Sequence, residues 1–294
     1  MNDLPHISII GAGRVGTALA RCLHNLGYAV DVLVATSLEH AALAAARVGA
    51  GLPHTDPGAA LGADIVFLTV PDGLIGPVCA ELASAPGWHE RHTAVHCSGL
   101  LSSEVLATAA QAGAAVLSCH PLLSISDPLR GATALLGTYY ALEGCGRGLA
   151  VGRKLVHNMG GVCLEVTEGR KPMYHAAAAL ASNSITALLD IALELATAAG
   201  IDHDTAQQAL CALASGAVAN VRTTGSLAAL TGPIERGDAV TVTAHLSVLA
   251  AMPEMAAVYK ALGLRCTAMA ATKGSAPAAQ LAAIAKLLQD SGHN

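Results

Sequence analysis

Apolar residues in the first half of the chain fall in short unbroken runs, each followed by a stretch with helical spacing. Ile7–Ile10, Ala29–Val34, Ala63–Val70, Thr93–Cys97, Ala114–Ser118, Thr138–Glu143 and Gly161–Val166 read as strands of the doubly buried, parallel type. Helices are expected after Gly16, over Leu38–Val48, Gly73–Ala83 and Gly146–Met159. Strand–helix alternation of this kind predicts an α/β fold: a Rossmann-like, mostly parallel sheet of roughly seven or eight strands. After Val166 the pattern changes to helices in succession, over Lys171–Ala199, Asp204–Thr223, Thr241–Leu249, Pro253–Leu262 and Ala276–Gln289. The expected division is a dinucleotide-binding domain over 1–166 and an all-α substrate and dimerisation domain over 167–294.

The helix that opens the second part, KPMYHAAAALASNSITALL (Lys171–Leu189), is almost wholly Ala and Leu, with a proline only in its first turn. At 3.6 residues per turn, Lys171, Ser182, His175, Thr186 and Asn183 share an arc of about 120°. If the helix is buried, these groups need partners. They either bond to neighbouring backbone or face a ligand held by the first domain.

Directly after the first strand comes G-A-G-R-V-G, Gly11–Gly16, and then a helix. In that setting Gly11 permits a tight turn, Gly13 close approach of a pyrophosphate, and Gly16 close helix–strand packing. The helix start, with Arg14 and Val15, offers free N–H groups to phosphates. The second strand ends in Ala35, Thr36 and Ser37 with no acid to bind a ribose 2′-hydroxyl; Asp31 lies earlier. The two hydroxyls could donate to a 2′-phosphate, so NADP(H) is preferred and NAD(H) is possible. Ligands of parallel sheets bind beyond the strands' carboxyl ends, which places Val70, Pro71, Asp72, His96, Ser98, Gly99, His120 and Pro121 on one crevice. Later, L-T-G-P-I-E-R-G-D (Leu230–Asp238) precedes a helix that Thr241 can cap and that carries His245. Arg236 and Asp238 are close enough to pair. The loop reads as a capped connection, or as a place where Arg236 holds a substrate carboxylate.

Composition narrows the function classes. Hydrophobic residues make up 53% and charged residues 13% of 294, enough for a sizeable core; the net charge of −5 and the absence of basic runs argue against nucleic-acid binding. No secretory leader is read at the N-terminus and the apolar runs are interrupted by polar groups, so a cytoplasmic protein without membrane spans is expected. The eight cysteines form no C-x-x-C pair and read as reduced core residues, with Cys97 and Cys119 beside the crevice; Cys145 is among the eight. The thirteen histidines show no tight ligand spacing, so no metal is expected.

Taken in order, the glycine turn, VPD, HCSG, CHP, K-x-x-Y-H-A-A-A-x-x-A-S-N and L-T-G-P-I-x-R-G-D resemble a bacterial oxidoreductase family that joins a Rossmann-like domain to an uncharacterised α-helical one. That family is similar to ketopantoate reductase, pyrroline-5-carboxylate reductase, prephenate dehydrogenase and 6-phosphogluconate dehydrogenase, which are often dimeric through their helices. Set against ketopantoate reductases, His175 takes the catalytic lysine's position and Asn183 that of the second asparagine. Ala179 replaces the first asparagine and breaks the pattern. The resemblance implies an NAD(P)H-dependent oxidoreductase acting on a small polar carbonyl, imine, hydroxy-acid or amino-acid substrate, as a homodimer through the helical domain. In it Pro71 and Ser98 border the nicotinamide and His175 is the general acid/base. Lys171 is the alternative acid or electrostatic stabiliser, Asn183 orients substrate, and His120, Arg236 and His245 bind it. The alternative is a catalytically silent NADP(H)-binding sensor, for which His175 and Lys171 would be dispensable.

Overall fold

In the computed structural model, which describes residues 4–83, 87–144 and 146–290, the strand runs assemble into one eight-stranded sheet. The strands are β1 (Ile7–Ile10), β2 (Val30–Val34), β3 (Leu52–His54), β4 (Ile65–Leu68), β5 (Thr93–His96), β6 (Ala115–Pro121), β7 (Tyr139–Gly144) and β8 (Val162–Glu165), in the order β3-β2-β1-β4-β5-β6-β7-β8. All neighbours run parallel except β6 and β7. Chain order reverses beside β1, so β1 and β4 flank the crevice where ligands of such sheets bind. Ile10, Leu68, His96 and Ser118 lie in register, which brings the carboxyl ends of four strands to one edge.

The period-two alternation of strands divides the core between the two faces. Ile7, Ile9, Phe67, Val95 and Leu117 pack on one side with α1 (Arg14–Asn25) and residues of α6 (Gly146–Asn158). Ile10, Val34, Val66, Leu68 and Ala94 pack on the other with α3 (Asp72–Glu81) and α4 (Ala107–Gln111). The connection after β2 is α2 (Leu38–Val48), and α5 (Pro128–Ala134) precedes β7. Gly148 of α6 packs so closely that a Cβ there would run into the Val116 carbonyl. Cys145 lies outside the described residues; the other seven cysteines are free thiols.

The expected continuous helix Lys171–Ala199 is two helices, α7 (Lys171–Ala181) and α8 (Asn183–Ala198). Ser182 interrupts them, with φ −128° and ψ −74°. Its alanine-rich surface is not buried in the single chain either: Lys171 is the one buried residue of α7, and α8 has none. The interruption removes Asn183 from the uniform helical phase that groups it with His175 in the sequence. The compact units are Met1–Asn183 and Ser184–Asn294, so α7 belongs with the sheet, whereas the strand pattern ends at 166. The physical reason is the burial of Lys171, which fastens the start of α7 to the strand ends.

The second unit continues with α9 (His203–Thr224), α10 (Ser226–Ala229), α11 (Ala239–Leu249), α12 (Pro253–Lys273) and α13 (Ala278–Gln289). Its core is Val242, Ile284 and Leu288 with Ile234, Leu246, Tyr259 and Leu264 against them. The helix expected to stop at Leu262 runs on to Lys273, because Gly263 faces inward and its missing side chain lets Leu288 of α13 pack closely. The segment Lys171–Ala198 has the length and mean hydropathy (1.5) of a membrane-crossing helix, but the lysine at its start is tied to the sheet.

Candidate active site

The glycine turn adopts the geometry its spacing predicts. Gly11 has φ +96°, and a Cβ there would lie 2.7 Å from backbone atoms of Thr69 and Val70. A Cβ on Gly16 would lie 2.6 Å from the Gly11 carbonyl oxygen, so this glycine serves helix–strand packing. Gly13 differs: the nearest atom to its would-be Cβ is 4.0 Å away, so that side is open. α1 starts at Gly13 with no side-chain cap and no acidic residue in its first turn. Its first N–H groups and the positive end of its dipole are thus left for an anion.

Beside this turn lies a cavity of about 420 Å³ lined by Gly11, Gly13, Arg14, Thr36, Val70 and Pro71. Of the other residues assigned to the cofactor, Val15 packs against the core and Gly16 is buried. Ser37 is taken up as the cap of α2, its Oγ accepting the His40 N–H at 3.2 Å. Asp31 is held by His6 at 2.8 Å. Sequence reasoning missed His40 and Arg47, which also line the cavity. They stand seven residues apart on one face of α2, a spacing that following the helix beyond the strand end would have brought out.

Ser98 is a structural pivot. Its Oγ donates to Asp72 Oδ2 at 2.8 Å and accepts the N–H groups of Leu100 and Leu101 at 3.1 and 3.0 Å. Its carbonyl accepts from Lys171 Nζ at 2.8 Å, and the same ammonium donates to Ser118 Oγ at 2.7 Å. Lys171 is 1% exposed, which lowers its pKa, while Glu143 leads the groups that hold it up. An ammonium so enclosed does not reach a substrate to donate a proton.

The residue after Ser98 shapes the rest of the site. Gly99 has no Cβ, and one placed there would fall on His175 Nδ1 and lie 3.0 Å from His120 Nε2. The two imidazoles meet edge to face, 6.0 Å between centroids, and His120 Nδ1 is 2.8 Å from the Tyr174 hydroxyl. Burial, followed by Lys171 and His175, pushes His120 down to about 4, and burial raises Tyr174 to about 12, so both are neutral at physiological pH. His96 is also lowered to about 4 by burial. Its Nδ1 accepts the Ser98 N–H at 3.2 Å and its Nε2 donates to the Ser102 carbonyl at 3.1 Å, a supporting role. His175 Nδ1 is buried without a hydrogen-bond partner among the described residues. A proton there would be an unpaired donor costing about 1–3 kcal/mol, which leaves Nε2–H as the donor His175 can offer.

His120, Tyr174, His175, Ser124 and Asn183 line a second cavity of about 680 Å³, floored by Leu122, Leu123 and the alanines of α7. Tyr174 is the other residue sequence reasoning left without a role, although it stands beside His175 in the K-x-x-Y-H motif. Burial pushes the Cys97 thiol up to about 12 and raises Cys119 well above the ordinary thiol value, which removes both as nucleophiles.

Arg236 and His245 lie in the second unit. The loop that carries Arg236 is held by its neighbours: Lys273 Nζ donates to the Leu230 carbonyl at 2.8 Å and pairs with Glu235 at 2.9 Å. Gly237, at φ +75°, packs against Gln280. Asp238, not Thr241, caps α11, accepting the Thr241 N–H at 3.0 Å, so its carboxylate is not paired with Arg236. Arg236 is exposed; its N–H donates to the Gly232 carbonyl at 3.2 Å, and its guanidinium is in no ion pair among the described residues. His245 Nδ1 is 2.9 Å from the Tyr259 hydroxyl.

Residues 3–121 match a Rossmann-like domain, and residues 138–266 match a domain of unknown function, DUF2520. The two matches follow one another along the chain and cover separate parts of it. The DUF2520 match takes in β7 and β8 as well as helices. No protein of curated function matches the sequence. Among solved structures, protein TM1727 from Thermotoga maritima is 25% identical with a TM-score of 0.70, over 91% of this chain and 99% of that one. BF3122 from Bacteroides fragilis, a proposed NADP oxidoreductase, is 19% identical with a TM-score of 0.74, over 90% and 98%. A pyrroline-5-carboxylate reductase from Coxiella burnetii is 16% identical with a TM-score of 0.59, over 98% and 99%. What this chain shares with these proteins is the fold.

Proposed function

We propose that the chain is an NAD(P)H-dependent oxidoreductase, with NADP(H) preferred, acting on a small polar substrate with a carbonyl or imine. The observation that carries this reading is the uncapped, open-sided helix start at Gly13, on the same sheet edge as the His120–Tyr174–His175 cluster. The first-turn N–H groups of α1 would hold the pyrophosphate, and Val70 and Pro71 would border the nicotinamide. A bound nicotinamide supplies or accepts the hydride. Support for NADP(H) comes from Thr36, His40 and Arg47 on the cavity wall and from the engagement of Asp31 with His6. Within the second cavity Nε2–H of His175 would hydrogen-bond the reacting heteroatom while a proton reaches it from solvent, and Asn183 and Tyr174 would orient the substrate. Lys171 acts from behind as fixed charge.

The helical unit is the surface on which two copies would pair. Leu213 is 72% and Val218 57% exposed. Together with Ile185 and Leu189 they border or line an apolar groove of about 400 Å³ between α8 and α9. Asp190, Glu194 and Arg222 are interspersed on these helices, which suits a protein partner better than a bilayer interior.

The test is oxidation of NADPH by the purified protein against a panel of 2-keto acids, simple ketones and cyclic imines, with His175→Ala beside the wild type. Turnover that His175→Ala loses while it still binds NADPH supports the reading. Nucleotide binding with no turnover across the panel would favour a silent NADP(H) sensor.

A further inference from the structure

We propose that the second cavity is built for an oxygen that gains negative charge, so that the reaction interconverts a carbonyl compound and an alcohol and does not use a protonated imine. This rests on the NAD(P)H-dependent reading above. The ammonium of Lys171 lies 5.9 Å from the ring centroid of Tyr174, a residue of the cavity wall. Its bonds go to the Ser98 carbonyl and the Ser118 hydroxyl; Glu143 and Asp72 favour its charge from further off, and no carboxylate among the described residues is within ion-pair distance of it. The acids around it bond to neutral groups and not to the ammonium itself. Asp72 accepts from Ser98 Oγ, and Glu143 accepts both the N–H and the hydroxyl of Ser103. The described lining of the cavity contains no Asp or Glu at all; its polar members are hydroxyl, imidazole and amide groups.

Hydride addition to C=N is helped by a proton already on nitrogen, so the reacting species is a cation. Such a cation would enter a cavity with no carboxylate in its described lining and with the Lys171 ammonium behind it, which outweighs Asp72 at His120 on the cavity wall. A carbonyl brings no charge and develops a negative one, which the same ammonium stabilises. The carbonyl carbon takes the hydride of the reduced nicotinamide, and the π electron pair passes to oxygen. His175 Nε2–H hydrogen-bonds that oxygen as the charge develops, and the proton that completes the hydroxyl comes from solvent. One proton and one hydride are consumed, and the nicotinamide is left oxidised.

The test uses the full chain and has a readout independent of turnover, the titration of His120 followed by imidazole NMR. His120 is faced by Lys171, Tyr174 and His175 from α7, by Asp72 from α3 and by His96 from β5. In Lys171→Met its midpoint should rise from about 4 by roughly one unit, while Lys171→Arg should leave it low. Ketone turnover should fall about tenfold or more in Lys171→Met at unchanged NADPH affinity, and cyclohexanone should outrun 2-methyl-1-pyrroline in the wild type. If Lys171→Met does not fold, Lys171→Gln makes the same comparison. A His120 midpoint unmoved by loss of the ammonium, or faster turnover of the cyclic imine, overturns the proposal. Failure of NADPH to bind would instead remove the oxidoreductase reading beneath it.

Discussion

Replacing Gly99 by alanine tests whether the β5–β6 edge and α7 form one site. Gly99 does not have a positive φ, so alanine introduces no backbone strain. Everything the methyl group does comes from contact. It would fall on His175 Nδ1, at 2.9 Å from Cε1 and 3.0 Å from His120 Nε2. Ordinary contact is ~3.5 Å or more, so the His175 ring must withdraw by about 1 Å. His175 is part-exposed and faces a cavity, so it has room to move. The stability loss should therefore stay at the low end of overpacking, about 1 kcal/mol. A displacement of that size can cost on the order of a hundredfold in kcat, because near-attack geometry is lost. NADPH affinity should be unchanged, since Gly99 is not among the residues that line the glycine-turn cavity. Thermal denaturation, NADPH titration, the His175 imidazole signal and kcat on any substrate found together give the answer. Wild-type kcat and an unshifted His175 signal in Gly99→Ala would refute the reasoning.

Further predictions address stability, cofactor choice and assembly. His96 is fully buried and held at about 4 against 6.5 when unfolded, so the unfolded chain binds more protons between those values. Its contribution is complete above 6.5 and is lost as pH falls toward 4, on the order of 3 kcal/mol, with His120 acting in the same direction; urea melts from pH 7 to 4 should show it, and His96→Asn should flatten the dependence. Gly148→Ala drives a methyl group into the Val116 carbonyl, an obstruction of backbone that cannot swing aside, and should cost about 3 kcal/mol in a urea melt. Arg47→Ala with His40→Ala should weaken NADPH about tenfold and leave NADH within about twofold, as read by fluorescence titration. Val218→Glu should shift the elution of the protein from dimer to monomer on size-exclusion chromatography.

The sheet was the legible part of the chain, for a physical reason. A strand buried on both faces must be continuously apolar, and glycines in a tight turn are irreplaceable, so both leave marks that survive without neighbours. Gly11 and Gly16 carry such marks. α7 and α8 show what a periodicity argument misses. An alanine–leucine helix can equally be a core helix or a surface helix awaiting a partner, and nothing local distinguishes them. Nor does the sequence announce the interruption at Ser182, on which the phase of Asn183 depends. Lys171 was legible as unusual and misleading as a proton donor, since only the fold shows its ammonium enclosed by Ser98 and Ser118. Arg47 and His40 escaped because they act from a helix face, several residues beyond the strand end where an anion-binding residue is usually sought.

The central claim is that the open side of Gly13 receives a dinucleotide pyrophosphate, and titration of wild type and Gly13→Val with NADPH tests it most directly. Valine there meets nothing closer than 4.0 Å at its Cβ, so the variant should fold and melt like the wild type. The account predicts NADPH binding by the wild type and its loss, by about a hundredfold or more, in Gly13→Val. Equal binding by the two proteins, or no binding of either NADPH or NADH by the wild type, would contradict it.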